Sequence, residues 1–397
     1  MYKKGQIIFK EGDKLDKAYI ILEGKVRLTS TLGYSMIAEE SSIIAEWMML
    51  DDNTSPEDAI AESDVELADV EEIAFNYELL ERSFDRLAHV NKTFSTDLKP
   101  LDEVKETIKK VTKGSWKFFE DFKKSKYFIA RKLIGNEKYE EAYEKLLQIP
   151  KGIFGEETDR EIEILKTLCL QFIDPKAAVE RYHLLRRNAN RYKNYISYTL
   201  FMEIITKGVE NISSLLKIYL KHGIYIPPRT ILMVEGELGD DMIFILKGYV
   251  RVVRYSSKDP VLLTFLGPSE FVGEVSTLGD QPRTATVVVH KPIQALLFSK
   301  KSLRNSLESN KKFALEILKA SLKRVQNMKK FKKTGQDIEN KIRFLRDKWG
   351  IEELNRMEIT LEELANFLKI DMRELINYLS KEKVAMISSD GTVKFNK

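Results

Sequence analysis

Two glycine-centred turns that occur twice narrow the fold more than any other feature. Glu11-Gly12-Asp13 and Glu23-Gly24-Lys25 separate short apolar runs at 6–10, 18–22 and 25–30. Glu235-Gly236-Glu237 and Lys247-Gly248 separate runs at 242–246 and 249–255, and Gly12 and Gly24 match Gly236 and Gly248 at a constant offset of 224 residues. Short β-branched and aromatic runs bounded by such turns read as strands. Self-similarity on this scale means one β-rich unit built twice, with 397 residues leaving room for a third domain.

Chemistry concentrates in the second copy. Residues 271–287 read Phe-Val-Gly-Glu-Val-Ser-Thr-Leu-Gly-Asp-Gln-Pro-Arg-Thr-Ala-Thr-Val. Gly273 lets a ligand approach the backbone, and the short helix after it offers unpaired amides to an anion. Arg283 adds a charged fork for two phosphate oxygens, and Thr284 a hydroxyl donor. Glu274 beside an anion is repulsive unless it accepts from sugar hydroxyls or pairs with an arginine. A phosphate joined to a ribose satisfies all of these groups.

Gly273-Glu274 followed by Arg283-Thr284-Ala285 resembles the phosphate-binding cassette of cyclic-nucleotide-binding domains, as in the catabolite activators and the regulatory subunits of cyclic-nucleotide-dependent kinases. The resemblance implies that Glu274 binds the ribose 2′-hydroxyl, Arg283 the cyclic phosphate and Thr284 assists. The cassette set is then Gly273, Glu274, Val275, Arg283, Thr284 and Ala285. It also implies that Leu263 and Thr264, on the strand before the cassette, wall the purine, and that Asn327 and Met328 cover it from a long helix. The effector expected is cAMP or cGMP, with a cyclic dinucleotide left open.

The first copy lacks this chemistry. Ile44-Ala45-Glu46 stands where the second has Val272-Gly273-Glu274, and Pro56-Glu57-Asp58-Ala59 where it has Pro282-Arg283-Thr284-Ala285. Between Glu39 and Glu72 there are 13 acidic residues and no basic one. Carboxylates a few ångströms from a phosphate are repulsive, so the first unit is expected to keep the fold and bind no cyclic nucleotide. No spacing in it resembles a calcium loop.

Between the copies, apolar residues recur at three and four. Residues 127–133 and 139–147, joined at Gly135-Asn136, resemble a tetratricopeptide-type helical hairpin with Ala142 at the close-packing position, and 162–172 with 177–185 suggest a second. A spacer packed on the β-rolls is expected, with a docking site for a protein partner as the alternative. After the second copy, 303–331 is helical, with Leu307, Ala314, Leu318, Ser321, Val325 and Met328 forming a narrow stripe, read as the seam of a homodimer like that of the catabolite activators.

The tail reads as three helices and a hairpin. Thr360-Leu-Glu-Glu and Asp371-Met-Arg-Glu are capping boxes, and Asp390-Gly391 suits a tight hairpin turn. The arrangement resembles a winged helix-turn-helix, in which the second helix, 371–379, would enter the DNA major groove with Arg373, Asn377 and Lys381 as its contacts. Its 336–397 segment holds 11 basic and 12 acidic residues, whereas 300–335 holds 12 and 2, so attraction to phosphates would come from the long helix. Use of the winged helix for protein contacts alone stays open.

The fold expected is α+β: a degenerate β-roll at 1–95, a helical connector at 101–223, a cyclic-nucleotide-binding roll at 224–300, a lid helix at 301–335 and a winged helix at 336–397. The single cysteine, Cys169, sits in an apolar helical run and excludes an intramolecular disulfide or a zinc cluster. No 18-residue apolar run occurs, so a cytoplasmic protein without membrane contact is expected. His89, His183, His222 and His290 are scattered without nucleophile or metal-ligand spacing, which speaks against an enzyme. Two functions fit: a cyclic-nucleotide-responsive transcription regulator, or a nucleotide-responsive scaffold that has lost DNA binding.

Overall fold

The computed structural model describes residues 1–70, 82–84, 86, 87, 90, 100–113, 122–152, 156–188, 224–226, 228–256, 260–279, 281–300, 303 and 311–396. The last part of the helical connector, the stripe residue Leu307, His89 and His222 lie outside them.

Two antiparallel sheets form the amino-terminal part. In the first, β1 (Ile7–Phe9), β6 (Asp58–Ala61), β3 (Val26–Thr29) and β4 (Ser35–Ala38) lie side by side; in the second, β5 (Ile43–Ile44), β2 (Ala18–Glu23) and β7 (Glu66–Val70). In β3, Val26 and Leu28 are buried and Arg27 is exposed, the alternation required when one face covers a core. The later six-stranded sheet is built on β10 (Asp241–Arg254) and β13 (Thr286–Ser299), which pair along nearly their full length. β8 (Ile224–Ile226), β9 (Ile231–Met233), β11 (Val261–Leu266) and β12 (Phe271–Val272) pair along their edges. The two strands expected at 242–246 and 249–255 are thus one. Gly248, at φ 82, bends the chain inside the ladder, where a Cβ would lie 2.0 Å from the Pro292 carbonyl oxygen.

Five helices follow the first sheets: α1 (Leu101–Lys113), α2 (Phe122–Gly135), α3 (Tyr139–Leu147), α4 (Glu156–Ile173) and α5 (Pro175–Arg187). From α2 onward each packs on the next, with Ala142 and Cys169 fully buried and the Tyr139 ring stacked 3.9 Å from that of Phe172. The connector rests on the second roll, where α2 places Phe128 in the roll's core and pairs Lys132 with Asp241 at 3.0 Å.

The long helix, expected to be a dimer seam, packs within the chain. After α6 (Glu274–Leu278), α7 (Lys311–Lys333) buries Ala314, Ile317, Leu318, Leu322 and Val325 in one core with Phe9, Ile21 and Trp47 of the first sheets. Gln326 donates to the carbonyl oxygens of Asp52 (2.7 Å) and Thr54 (3.0 Å), and Lys329 pairs with Glu11 at 2.7 Å. Each large apolar side chain gains about 1.5–3 kcal/mol on leaving water. Ala314, Leu318 and Val325 of the stripe are thus covered within the chain, by the first roll and by Met242, Phe271 and Leu278 of the second, while Ser321 bonds Glu274 and Met328 stays partly exposed.

At the carboxyl end come α8 (Ile338–Met357), α9 (Leu361–Leu368), α10 (Met372–Lys381) and the hairpin β14 (Ala385–Ile387) with β15 (Val393–Phe395). Thr360 and Glu363 form the expected capping box, and the Asp371 carboxylate accepts from the amides of Arg373 and Glu374. α8 breaks at Gly350, whose φ of 75 and ψ of 158 leave the helical region. This unit docks on the second roll through the buried pair Arg251–Glu363 (2.9 Å), the Asn366 amide bonded to Leu262 and Pro260, and the Tyr249 hydroxyl on Glu353. None of the described helices is long and apolar enough to cross a membrane.

Candidate nucleotide site

A cavity of about 240 Å³ opens between the second roll, α7 and the carboxyl-terminal unit. The cassette lines one end with Gly273, Glu274, Val275, Arg283, Thr284 and Ala285. β11 contributes Leu263 and Thr264, and α7 contributes Asn327 and Met328. All ten residues singled out from the sequence therefore meet at one place. Arg373, Asn377 and Lys381 lie elsewhere, at four-residue intervals on the exposed face of α10.

Gly273 is the one residue its position tolerates. Its φ is 85, and a Cβ would stand 2.5 Å from Arg283 Nη1 and 2.6 Å from Met233 Cε. Beneath it, both terminal nitrogens of the buried Arg283 are engaged: Nη2 donates to the Asp241 carboxylate (2.8 Å) and also to that residue's carbonyl, and Nη1 donates to the Gly273 carbonyl (2.7 Å). Burial pushes the Asp241 carboxyl above its ordinary range, opposed by Lys132 and Arg283. For the guanidinium fork to take two phosphate oxygens, one of these bonds must open.

Glu274 pairs with an arginine, but from another element. It is 1% exposed and accepts from Ser321 Oγ (2.9 Å) and Arg324 Nη1 (2.6 Å), while Arg324 also donates to the Phe271 carbonyl. A ribose hydroxyl approaching Glu274 therefore competes with two donors of α7.

The carboxyl-terminal unit closes the far end with Phe344 and Lys348 of α8 and Phe367 of α9, next to Phe331 of α7. The Lys348 ammonium donates to Thr264 Oγ1 at 3.1 Å and lies 4.0 Å from the Trp349 ring centroid. Burial pushes it down to about 8, against the pull of Glu270 and with the help of Arg324. Sequence reasoning missed Arg324 and Lys348. Arg324 is one of 12 basic residues in 300–335, and Lys348 sits on an amphipathic helix far along the chain. Only the hydroxyl of Ser321 in an apolar stripe hinted at a polar partner.

The equivalent place in the first roll is filled from within. Ala45 holds φ 67 where the second roll has Gly273. Glu46 and Glu57 are fully buried, and Arg86 donates Nε and Nη2 to Glu46 (3.0 and 2.5 Å) and Nη1 to Glu57 (2.9 Å). Glu57 also accepts from Trp47 Nε1 (2.9 Å) and the Tyr34 hydroxyl (2.6 Å). Its carboxylate faces an internal arginine rather than an open site.

The family description of the cyclic nucleotide-binding domain matches residues 1–82 and 224–310. The chain is 28% identical over 169 residues to the potassium channel AKT2 of Oryza sativa subsp. japonica, covering 41% of this chain and 19% of the channel. It is 28% identical over 93 residues to a CRP-like cAMP-activated global transcriptional regulator of Mycobacterium tuberculosis, covering 23% of this chain and 42% of the regulator. It thus spans less than half the length of these curated relatives. Among solved structures, the c-di-GMP responsive global regulator CLP of Xanthomonas campestris matches with a TM-score of 0.36 and 16% identity, covering 46% of this chain and 98% of CLP. The Thermus thermophilus catabolite activator protein matches with a TM-score of 0.25 and 20% identity, covering 46% and 89%.

Proposed function

We propose that this protein is a cyclic-nucleotide-responsive transcription regulator with one ligand site, in the second roll, and a winged helix-turn-helix at 336–397 that presents Arg373, Asn377 and Lys381 to DNA. The observation that carries it is the single cavity in which ten residues from three separate stretches of sequence converge with aromatic side chains of the carboxyl-terminal unit. A phosphate fits the cassette end, a ribose the carboxylate and a planar base the aromatic end. The site is thereby wired to the unit that would hold DNA. The Arg86–Glu46–Glu57 cluster supports a first roll that binds no nucleotide, and the core this roll shares with α7 supports a chain in which the two rolls flank one helix.

Titration calorimetry with cAMP, cGMP and cyclic dinucleotides tests this reading. One site per chain is expected, lost in Arg283→Leu and kept in Glu57→Gln; equal loss in both overturns the one-site assignment. DNA affinity, read by fluorescence anisotropy, should fall linearly with log salt concentration. The scaffold reading is favoured by one feature, the exposed apolar Met372 on α10 and Met386 on the hairpin. An absence of DNA binding at low salt would decide for it.

A further inference from the structure

The base end of the cavity brings a buried ammonium, that of Lys348, beside the Glu270 carboxylate and the Arg324 guanidinium. The walls there are apolar or aromatic, with Leu263, Phe331, Phe344 and Phe367 around the opening, while Lys348 enters from α8 and is anchored to Thr264 Oγ1. The Glu270 carboxylate, which lines the same cavity and attracts the ammonium, accepts from the Gly267 amide through one oxygen at 2.7 Å. An ammonium has three donors and no acceptor. In a cavity lined by apolar side chains it needs an acceptor from whatever fills the space, because a charged donor without a partner is costly to bury.

Purines differ at the edge such a group would meet. Guanine presents two adjacent acceptors, O6 and N7, whereas adenine presents N7 beside an amino donor. A lysine therefore pairs with the first edge and meets a like donor on the second. From this geometry we infer that the site selects a 6-oxopurine cyclic nucleotide, cGMP rather than cAMP, and that Lys348 of the carboxyl-terminal unit is the specificity-determining residue. The inference rests on the nucleotide site proposed above and adds to it the identity of the base. It also makes the carboxyl-terminal unit part of the binding site, since Lys348, Phe344 and Phe367 all belong to that unit.

Calorimetric titrations of the full chain with cGMP, cIMP and cAMP separate these statements. cIMP keeps O6 and N7 and lacks the 2-amino group, so cGMP and cIMP should both bind at least ~5-fold more tightly than cAMP, the lower end of what a well-placed bidentate contact discriminates. Lys348→Met should bring the three affinities within about threefold, while Lys348→Arg, which keeps the donors, should retain the preference. The ratio of affinities within one variant is the readout, because a general loss of packing weakens all three ligands together. Tighter binding of cAMP by the wild-type chain, a preference for cGMP that survives Lys348→Met, or cIMP behaving like cAMP overturns the inference while leaving the site itself in place. Absence of binding for all three overturns the site and the inference together.

Discussion

Replacing Arg86 with methionine should destabilise the protein far more than a surface substitution would. The guanidinium donates three hydrogen bonds to two carboxylates, Glu46 and Glu57, both fully buried, and lies 5.4 Å from the Trp47 ring centroid. Methionine fills much of the volume but leaves both carboxylates without a counter-charge. Breaking a buried pair in this way costs about 3–5 kcal/mol, chiefly because a charge is left buried without compensation, and a cluster in which no member is charged escapes that cost. The triple variant Glu46→Gln, Glu57→Gln, Arg86→Met should therefore recover most of the loss. Urea unfolding followed by tryptophan fluorescence reads both. pH adds a check on sign. Burial already holds the Glu46 carboxyl above its ordinary range, and Arg86 is the main group pulling it down, so its removal raises that carboxyl further. A carboxyl with a raised folded pKa contributes stability below its unfolded value and loses it as pH rises through the folded value. The variant's deficit should then be greatest near neutral pH and shrink as pH falls toward the ordinary carboxylate range. A deficit under about 1 kcal/mol, or one equally large in the triple variant, would refute the assignment of the cluster as a counter-charged lock.

Two further outcomes check the packing. Leu318→Ala removes a fully buried side chain of α7 from its contact with the first sheets and should cost about 2–5 kcal/mol, with the mass by light scattering that of a single chain before and after. Burial pushes the Cys169 thiol up to about 12, so a thiol reagent at pH 8 should label it only as fast as the connector helices open, and faster in urea; rapid labelling without denaturant would place the residue outside the core.

Local rules made much of this molecule legible. The offset of 224 residues between Gly12 and Gly236 predicted two β-rich units because turn chemistry is written in single residues. The capping box at Thr360 and the N-cap at Asp371, also read as a box but formed without the return bond from Glu374, predicted helix starts for the same reason. The cassette residues lie within 13 positions of one another, so their convergence needed only one turn and one short helix. What escaped depends on contacts across hundreds of residues. The α7 stripe was readable as a seam, but not its partner: Gln326 bonds to Asp52 and Thr54 some 270 positions away, and no periodicity encodes that choice. Arg324 on Glu274 and Lys348 on Thr264 escaped likewise, each one basic residue among many until the chain is folded. The single bent strand through Gly248 was read as two because a turn glycine in sequence looks the same whether the ladder stops or continues.

The layout of the cavity sets how a ligand would act on the carboxyl-terminal unit. A ligand moves an equilibrium only by its difference in affinity for the two states, and a shift from 1:99 to 99:1 needs about 5.5 kcal/mol of difference. Two sets of contacts differ with docking. Lys348, Phe344 and Phe367 touch the cavity only while the unit sits on the second roll, so a ligand that bonds Lys348 favours the docked arrangement. The Glu274–Arg324 pair acts on the other side of the balance: when a ribose hydroxyl takes the carboxylate, Arg324 loses one of its two second-roll partners, which weakens the tie of α7 to the cassette while the bond to the Phe271 carbonyl and the apolar contacts remain. The sign of the response therefore depends on which contact the ligand uses more fully. A smaller base that fills the cassette without reaching Lys348 would loosen α7 and gain nothing at α8, whereas one that reaches it would tighten the unit as it loosens the helix. Base identity and direction of response are, in this architecture, one variable.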